Sequence, residues 1–518
     1  MDFENELTSK ILDPIHGTIR LTTLEIASIN HPLFQRLRNI KQNSFLYKVF
    51  PSAVHSRFEH SLGVLHLSSE ILNNLRLNAI RYQKKYDDGH VFGHIDQIPK
   101  HNIQELRLAA LMHDIGHGPV SHQFESFMPG KHEFSDVLPT AYHSIIDVLS
   151  KPEQKVEHEQ LSLLFSLMIY HDLRKQGKVD DEINIENVLK IIEKRYGDQQ
   201  IIEEINGKAT DILPLMTSII SSCPIDADRM DYLLRDGYFS GVKCGIYDYN
   251  RLFMSIVPVE EQGKLYLAYK ESGIDSIAEF IGARSSLFSQ VYYHKTNRAF
   301  ATMLSTLCEI MQSKDPQNVI IADVTDRIVD HSDESFIDAL KDFYLACSDD
   351  YFLNDKVGEW IDISDIEAVN KKIIDDIINR HPWSKVYEAK HSVYKANIAD
   401  KENKAWKSQL TGLLTSVLQP HFKPHEFAVD IVSDCAFKDL DKTEVKLLVK
   451  DLKNRYEIKP LIECGDKLNQ YQIIKYCIRV FVDRDIKERV TPEIIYKINE
   501  IVVKPVSYTH LRAHETSQ

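Results

Sequence analysis

Residues 111–122 read Leu-Met-His-Asp-Ile-Gly-His-Gly-Pro-Val-Ser-His, which sets three histidines (His113, His117, His122) and Asp114 at the end of an apolar helix and in the turn after it. Imidazole and carboxylate together suit Mn, Fe, Co, Ni or Zn, and Mg where carboxylate and water dominate. One such divalent ion meets both needs of phosphoester cleavage, an activated water and neutralised phosphoryl charge. Neighbouring helical residues diverge by about 100°, so His113 and Asp114 can share an ion only where helical geometry relaxes, as at a C-terminal turn ending in Gly116. Two ligands underhold an octahedral ion. The further candidates are His60, within Arg57-Phe-Glu-His-Ser-Leu-Gly63, and an aspartate of Asp226-Ala-Asp-Arg-Met-Asp-Tyr232. His117 and His122 are offset from the metal pair and suit proton donation or phosphate binding.

These residues need a scaffold, and the 518-residue chain with 43% hydrophobic residues is long enough for a large core and two domains. Apolar spacing predicts helices over 23–42, 60–82, 103–114, 140–150, 157–173, 183–196, 211–221 and 274–311. A turn and short strand are expected over 13–21, and 83–100 reads as a loop. The expected division is a core over 1–330, a mixed α+β region over 331–505 and a disordered or non-native tail over 506–518. In the second region the pattern predicts helices at 333–347 and 366–380 and strands at 426–432 and 445–449. Trp383 is expected to be a packing residue, and the basic stretch 445–455 a solvated face.

Twelve of the 23 histidines fall between His55 and His158, a clustering that marks a site. The formal charge of −14 argues against non-specific nucleic-acid binding, leaving a small anion met by metal, His and Arg. No run approaches a membrane span, and seven scattered cysteines without a CxxC pair predict a reduced, cytoplasmic setting.

Seven ordered motifs carry a resemblance. They are Asp13-Pro-Ile-His-Gly17; Phe34-Gln-Arg-Leu-Arg38 with Ile40-Lys-Gln42; 57–63; His113-Asp-Ile-Gly-His-Gly-Pro119 with Ser121-His122; His158-Glu-Gln160; 225–232; and Tyr293-His-Lys295. With them the chain resembles the HD-domain phosphohydrolases, and within those the dNTP triphosphohydrolase branch, from about Asp13 to Lys295. The resemblance implies a mainly α fold, an HD-domain helical core with a smaller mixed α+β C-terminal region. It implies His60, His113, Asp114 and Asp228 as metal ligands, with Asp228 preferred over Asp226. His122 becomes the proton donor, with His117 and His158 around the phosphates and Glu125, where the family has Asp, orienting His122. Arg57, Arg229 and Lys295 are implied at the triphosphate, and Tyr232 and Arg284 at the nucleotide. Gln42, Asp236 and Tyr292 (preferred over Tyr293) are implied at the sugar, where a tyrosine beneath C2′ would exclude a 2′-hydroxyl.

The implied reaction is water attack at the α-phosphate, giving a deoxynucleoside and triphosphate. The resemblance also implies a homo-oligomer, dimer or tetramer, and an activator nucleotide at Asn30, Gln35 and Arg38. Asn30 stands where the family's guanine-reading aspartate would be and offers one acceptor and one donor in place of two acceptors. Two other readings stay open. One is an HD phosphohydrolase acting on a nucleoside monophosphate, cyclic nucleotide or single-stranded nucleic acid. The other is a non-catalytic dNTP sensor that signals through assembly.

Overall fold

Apolar residues recurring from Phe58 to Leu75 form the buried side of the long helix Arg57–Gln83, around which the N-terminal part of the chain is built. In the computed structural model the described residues are 3–83, 90–221, 224–314, 317–328, 335–363, 368–394, 400–435, 443–450, 453, 456–463, 468, 471 and 473–515. The helices Lys100–Met112 and Ala227–Ser240 pack on Arg57–Gln83. His158–Lys175 joins this group beside the turn that follows Met112. The site described below lies where these four helices meet.

Two long helices expected from spacing are broken, each for a local reason. Over 23–42 the chain forms Thr23–Ile29, started by a reciprocal Thr22–Glu25 capping box, then Pro32–Gln35 and a 3-10 turn Arg36–Asn39. Proline cannot continue a helix through its missing N–H, but it is well placed at the first turn of a new one. Over 274–311 the chain forms Ile274–Leu287, a π-turn Phe288–Tyr292 and then Lys295–Lys314. Such widened turns place side chains that a regular helix would rotate away.

The N-terminal turn is a hairpin, Ser9–Asp13 with Gly17–Leu21. A six-stranded sheet has no counterpart in the helical pattern. It combines Ile202–Ile205, Lys208–Asp211, Ile256–Glu261 and Lys264–Lys270 with Lys446–Lys450 and Tyr456–Pro460. Lys264–Lys270 runs parallel to Lys446–Lys450. Residues before and after position 330 also share one hydrophobic core, including Phe124, Phe127, Phe343, Phe352 and Trp360. The expected division at 330 falls on 329–334, outside the described residues.

The C-terminal region has helices at Ser335–Ala346 and Ala368–Ile378 and a three-stranded antiparallel sheet in the order Ser384–Tyr394, Ile473–Val482, Phe427–Cys435. Helices Asp400–Leu418 and Pro492–Glu515 accompany that sheet, with a core of its own around Leu414, Ile478 and Ile498. The last helix carries the expected tail as helix to Glu515, and 516–518 lie outside the described residues. Trp383 is buried. Of 445–455, positions 446–450 form a strand, and 451, 452, 454 and 455 lie outside the described residues. Cys244, Cys308, Cys347, Cys435 and Cys477 are free and buried, and Cys223 and Cys464 fall at or beside positions outside the described residues. Among the described residues no helix is long and apolar enough to cross a membrane.

Candidate metal centre and its cleft

The helix Lys100–Met112 ends at His113, whose Nδ1 lies 2.9 Å from the Ala110 carbonyl, so its Nε2 is turned into the site. Gly116 lets the next helix close in: a Cβ there would lie 2.1 Å from the His158 carbonyl oxygen. Arg36 holds the turn from behind by donating to the carbonyls of His117, at 2.7 Å, and of Ile115. Burial lowers the pKa of the Arg36 guanidinium to about 10, and no carboxylate among the described residues is bonded to it.

His60 projects from the long helix toward the same point. Its Nε2 is 3.1 Å from Asp228 Oδ1 and 3.6 Å from Asp114 Oδ2. His113 Nε2 is 3.5 Å from Asp114 Oδ1 and 3.9 Å from Asp228 Oδ1. The Nε2 atoms of His60 and His113 are buried and have no hydrogen-bond partner among the described residues. Two orphaned imidazole nitrogens facing two carboxylates are what a divalent ion would satisfy, so the residues fit a metal. Asp226 does not join them. It caps the helix Ala227–Ser240, accepting from the Arg229 N–H at 2.8 Å, and pairs with the Arg229 side chain.

Behind His60 lies a carboxylate that the sequence reading passed over. Asp231 Oδ2 accepts from His60 Nδ1 at 2.7 Å, and Asp231 Oδ1 is 2.7 Å from His16 Nε2. Asp231 also takes two 2.9 Å bonds from Arg235, which donates a third to Asp13 at 2.9 Å. Gly63 makes room: a Cβ there would lie 1.8 Å from Asp231 Oδ1. A carboxylate on the far ring nitrogen fixes the tautomer and orientation of a ligating histidine. The available signal was Asp231 and Arg235 four apart on one helix face, opposite the glycine of the Glu-His-Ser-Leu-Gly run.

Burial works against charge on His60, yet Asp228 and Asp231 raise its pKa to about 10. Burial likewise opposes the Asp114 carboxylate, while His113, Arg57, His117 and His60 hold it well below the usual carboxylate range. The metal-free site is thus a network of imidazolium and carboxylate, from which an ion must displace protons.

A second group adjoins the first. His117 and His158 stack with ring centroids 3.7 Å apart, and His122 stands edge-on to both. Glu125 Oε1 accepts from His122 Nδ1 at 2.9 Å and from His158 Nδ1 at 2.7 Å, so the longer Glu side chain serves two histidines. Burial opposes the Glu125 carboxylate, but His122 and His158 hold it far below its ordinary range. Burial also opposes charge on His158, and Glu159 and Glu125 raise it to about 9. His117 is pushed well down by burial and by Arg57, and both its ring nitrogens are unpartnered.

Both groups open onto one cleft of about 600 Å³. Gln42, Arg57, Arg229, Tyr232, Asp236, Arg284 and Tyr292 all line it, as do Tyr293 and Arg298. Tyr292 donates to Asp236, which also accepts from His55 Nε2 at 2.6 Å. Arg284 donates to the Tyr232 hydroxyl and to Asp434 at 3.2 Å each, and lies over the Phe288 ring. Arg57 pairs with Asp114 itself. Lys295 is the departure: it is exposed and absent from the cleft wall, where Arg298, almost one turn on, stands paired with Asp430 at 2.7 Å. The π-turn shifts the phase between Tyr292 and the helix after it, which spacing alone does not reveal. Asn30 caps a helix, and Gln35 accepts from Arg38, which stacks on Phe58; none of the three lines the cleft.

Residues 57–236 match the HD domain family. That segment of the chain is similar to an HD domain. The match begins at the arginine before His60 and ends at Asp236. An uncharacterised protein of Methanocaldococcus jannaschii is 32% identical over 294 residues, 57% of this chain and 48% of that one. The human deoxynucleoside triphosphate triphosphohydrolase SAMHD1 is 29% identical over 322 residues, 58% of this chain and 44% of that one. The aligned part thus spans about half the length of these relatives. A hypothetical protein from Aquifex aeolicus shares the fold over nearly the whole chain, with TM-score 0.60, 21% identity, and coverage of 95% of this chain and 99% of that one.

Proposed function

We propose that this protein is a metal-dependent dNTP triphosphohydrolase, converting dNTP and water into deoxynucleoside and inorganic triphosphate. The observation that carries the reading is the pairing of two orphaned histidine nitrogens and two carboxylates with a histidine–glutamate group on one arginine-lined cleft. The relationship to proteins named as dNTP triphosphohydrolases supports it.

His60, His113, Asp114 and Asp228 would hold the ion, which would supply Lewis acidity at a phosphoryl oxygen and lower the pKa of a water. Arg57, Arg229, Arg284 and Arg298 line the cleft, each paired with a carboxylate, and are the groups that would turn to a bound triphosphate. Attack of water at the α-phosphorus breaks the bond to the sugar 5′ oxygen, which then needs a proton. His122, hydrogen-bonded to Glu125 and exposed to the cleft, is placed to donate it from Nε2. Glu125 orients the ring through its bond to Nδ1. His158 and neutral His117 flank the phosphates as hydrogen-bonding groups. Tyr292, Asp236 and Gln42 form the sugar wall, with Tyr292 fixed by its bond to Asp236. The buried Gln42 Oε1, which has no hydrogen-bond partner among the described residues, would be an acceptor for a 3′-hydroxyl.

A product assay over the four dNTPs, with Mn, Mg, Fe and Co in turn, tests the reading. Triphosphate and deoxynucleoside in equal amounts support it. Turnover surviving His113→Ala or Asp228→Ala would remove the assigned site. Turnover of oligonucleotides or cyclic nucleotides in preference to dNTPs would favour the wider phosphohydrolase reading.

A further inference from the structure

The turn that aims His122 is bent in a way its own residues resist. Val120 and Ser121 both have φ of +52°, the left-handed region, where a β-branched side chain is disfavoured. Val120 is the residue from which the 3-10 turn Ser121–Phe127, carrying His122 and Glu125, departs. Something outside the turn must hold this conformation.

The holder is a carboxylate from far along the sequence. Asp349, at the start of the short helix Asp349–Tyr351, is buried. Its Oδ1 accepts from the Val120 N–H at 2.6 Å and its Oδ2 from the Lys41 N–H at 2.9 Å. The Lys41 ammonium is 3.6 Å away, and no other side chain donates to Asp349 among the described residues. The ring then closes on itself. Ser121 Oγ donates to the Lys41 carbonyl at 2.7 Å and accepts from Arg57 Nε at 3.1 Å, and Ser44 Oγ donates to the Val120 carbonyl at 2.6 Å. Arg57 in turn pairs with Asp114.

We propose that Asp349 is a positioning residue for catalysis: its carboxylate clamps the left-handed Val120–Ser121 turn and thereby sets the His122–Glu125 pair against the metal centre. Asp349 touches neither the cleft nor the reacting atoms, and it acts through two backbone N–H groups. Both oxygens are needed. An asparagine keeps one acceptor but turns an amide N–H₂ toward the other donor, so one backbone N–H loses its partner. Placement errors of about 1 Å in a catalytic group lower rates by about 100-fold, so the clamp should appear in kcat rather than in substrate binding. The inference rests on the proposed role of His122, but its structural half does not require that role.

The test compares wild type, Asp349→Asn and Asp350→Asn, the last altering the adjacent exposed carboxylate as a control. Metal content, thermal unfolding, kcat and KM for dNTP are measured, together with the ring N–H resonance of His122 in histidine-labelled protein, assigned by its loss in His122→Gln. D349N is expected to bind metal as wild type does, to lose tenfold or more in kcat with KM within twofold, and to lose or shift the His122 Nδ1–H resonance. D350N should match wild type in all of these. An unchanged His122 resonance in D349N overturns the proposal, as does a loss of kcat only in proportion to lost folded or metal-loaded protein. Should D349N not fold, Ser44→Ala, which removes the hydroxyl bonded to the Val120 carbonyl, must shift the same resonance, and its failure to do so is equally decisive. If wild type turns over no dNTP, the functional reading fails on its own, and the resonance still decides the clamp.

Discussion

Asp231→Asn separates what the carboxylate behind His60 does for the metal from what it does for the fold. Asp231 accepts from His60 Nδ1 and from Arg235, both of which are fully buried. One oxygen, Oδ2, accepts from both His60 and Arg235, while Oδ1 accepts from His16 and the second Arg235 nitrogen; an asparagine therefore turns an N–H₂ toward one of these two pairs, and its remaining oxygen carries no charge for His60. Loss of such an orienting partner lowers metal affinity about 10–100-fold, equivalent to about 1.4–2.7 kcal/mol. The second effect is on stability. Arg235 would keep its bond to Asp13 and one to the amide oxygen but lose the charge of residue 231, and breaking a buried ion pair costs about 3–5 kcal/mol. The surviving Asp13 contact should hold the loss near the lower end, about 3 kcal/mol. The two effects are read independently, by competition against a chelating indicator and by denaturant unfolding of metal-free protein. Asp13→Asn is the companion variant, because Asp13 touches Arg235 but not His60; it should destabilise without weakening metal binding. A D231N protein that is destabilised yet binds metal as tightly as wild type would refute the argument that Asp231 orients His60.

Further outcomes follow from the same geometry. Gly63→Ala places a Cβ 1.8 Å from Asp231 Oδ1 and should both destabilise the protein, by about 1–3 kcal/mol, and weaken metal binding; equilibrium unfolding and metal titration check it. Because His60 sits at about 10 without metal, binding an ion at pH 7–8 should release a proton, measurable as a dependence of calorimetric heat on the buffer's ionisation enthalpy. In metal-free protein the raised pKa of His158 contributes stability that is fully present below its unfolded value, about 6.5, and is lost as pH rises through about 9. Unfolding free energy should therefore fall across that window in wild type and fall less in Glu125→Gln. If the ring bonded to Asp236 is the sugar wall proposed above, Tyr292→Ala should narrow the preference for dNTP over NTP by about tenfold, read as the ratio of kcat/KM values.

The proposed ligand set could be picked out because each member sits in a distinctive local run, and the fold brings those runs together. His60 and Asp228 come from two helices and His113 and Asp114 from the end of a third, and each histidine Nε2 lies within 4 Å of a carboxylate oxygen of both aspartates. What supports them was harder to read. Asp231 and Arg235 look like ordinary charges on an amphipathic helix, and only the depth at which Ala227–Ser240 packs makes them buried. Arg36 reads as one basic residue in a polar helix face, but Pro32 ends the preceding helix and the new turn points Arg36 inward to two carbonyls. Lys295 was misplaced because a π-turn precedes it, a feature with no spacing of its own. Of the six-stranded sheet only the strand expected at 445–449 was read; the others escaped because they are short and come from distant parts of the chain. Asp349 had no signal at all, since its partners are backbone N–H groups.

The central claim is that the two histidine groups act on one dNTP in one cleft, and the products test it most directly. Metal-loaded protein incubated with a dNTP labelled at the γ-phosphate should release the label as intact triphosphate with an equal amount of deoxynucleoside, and His122→Ala should abolish most of this release while leaving metal bound. Release of the label as monophosphate, or no release from any dNTP by metal-loaded wild type, would contradict the account.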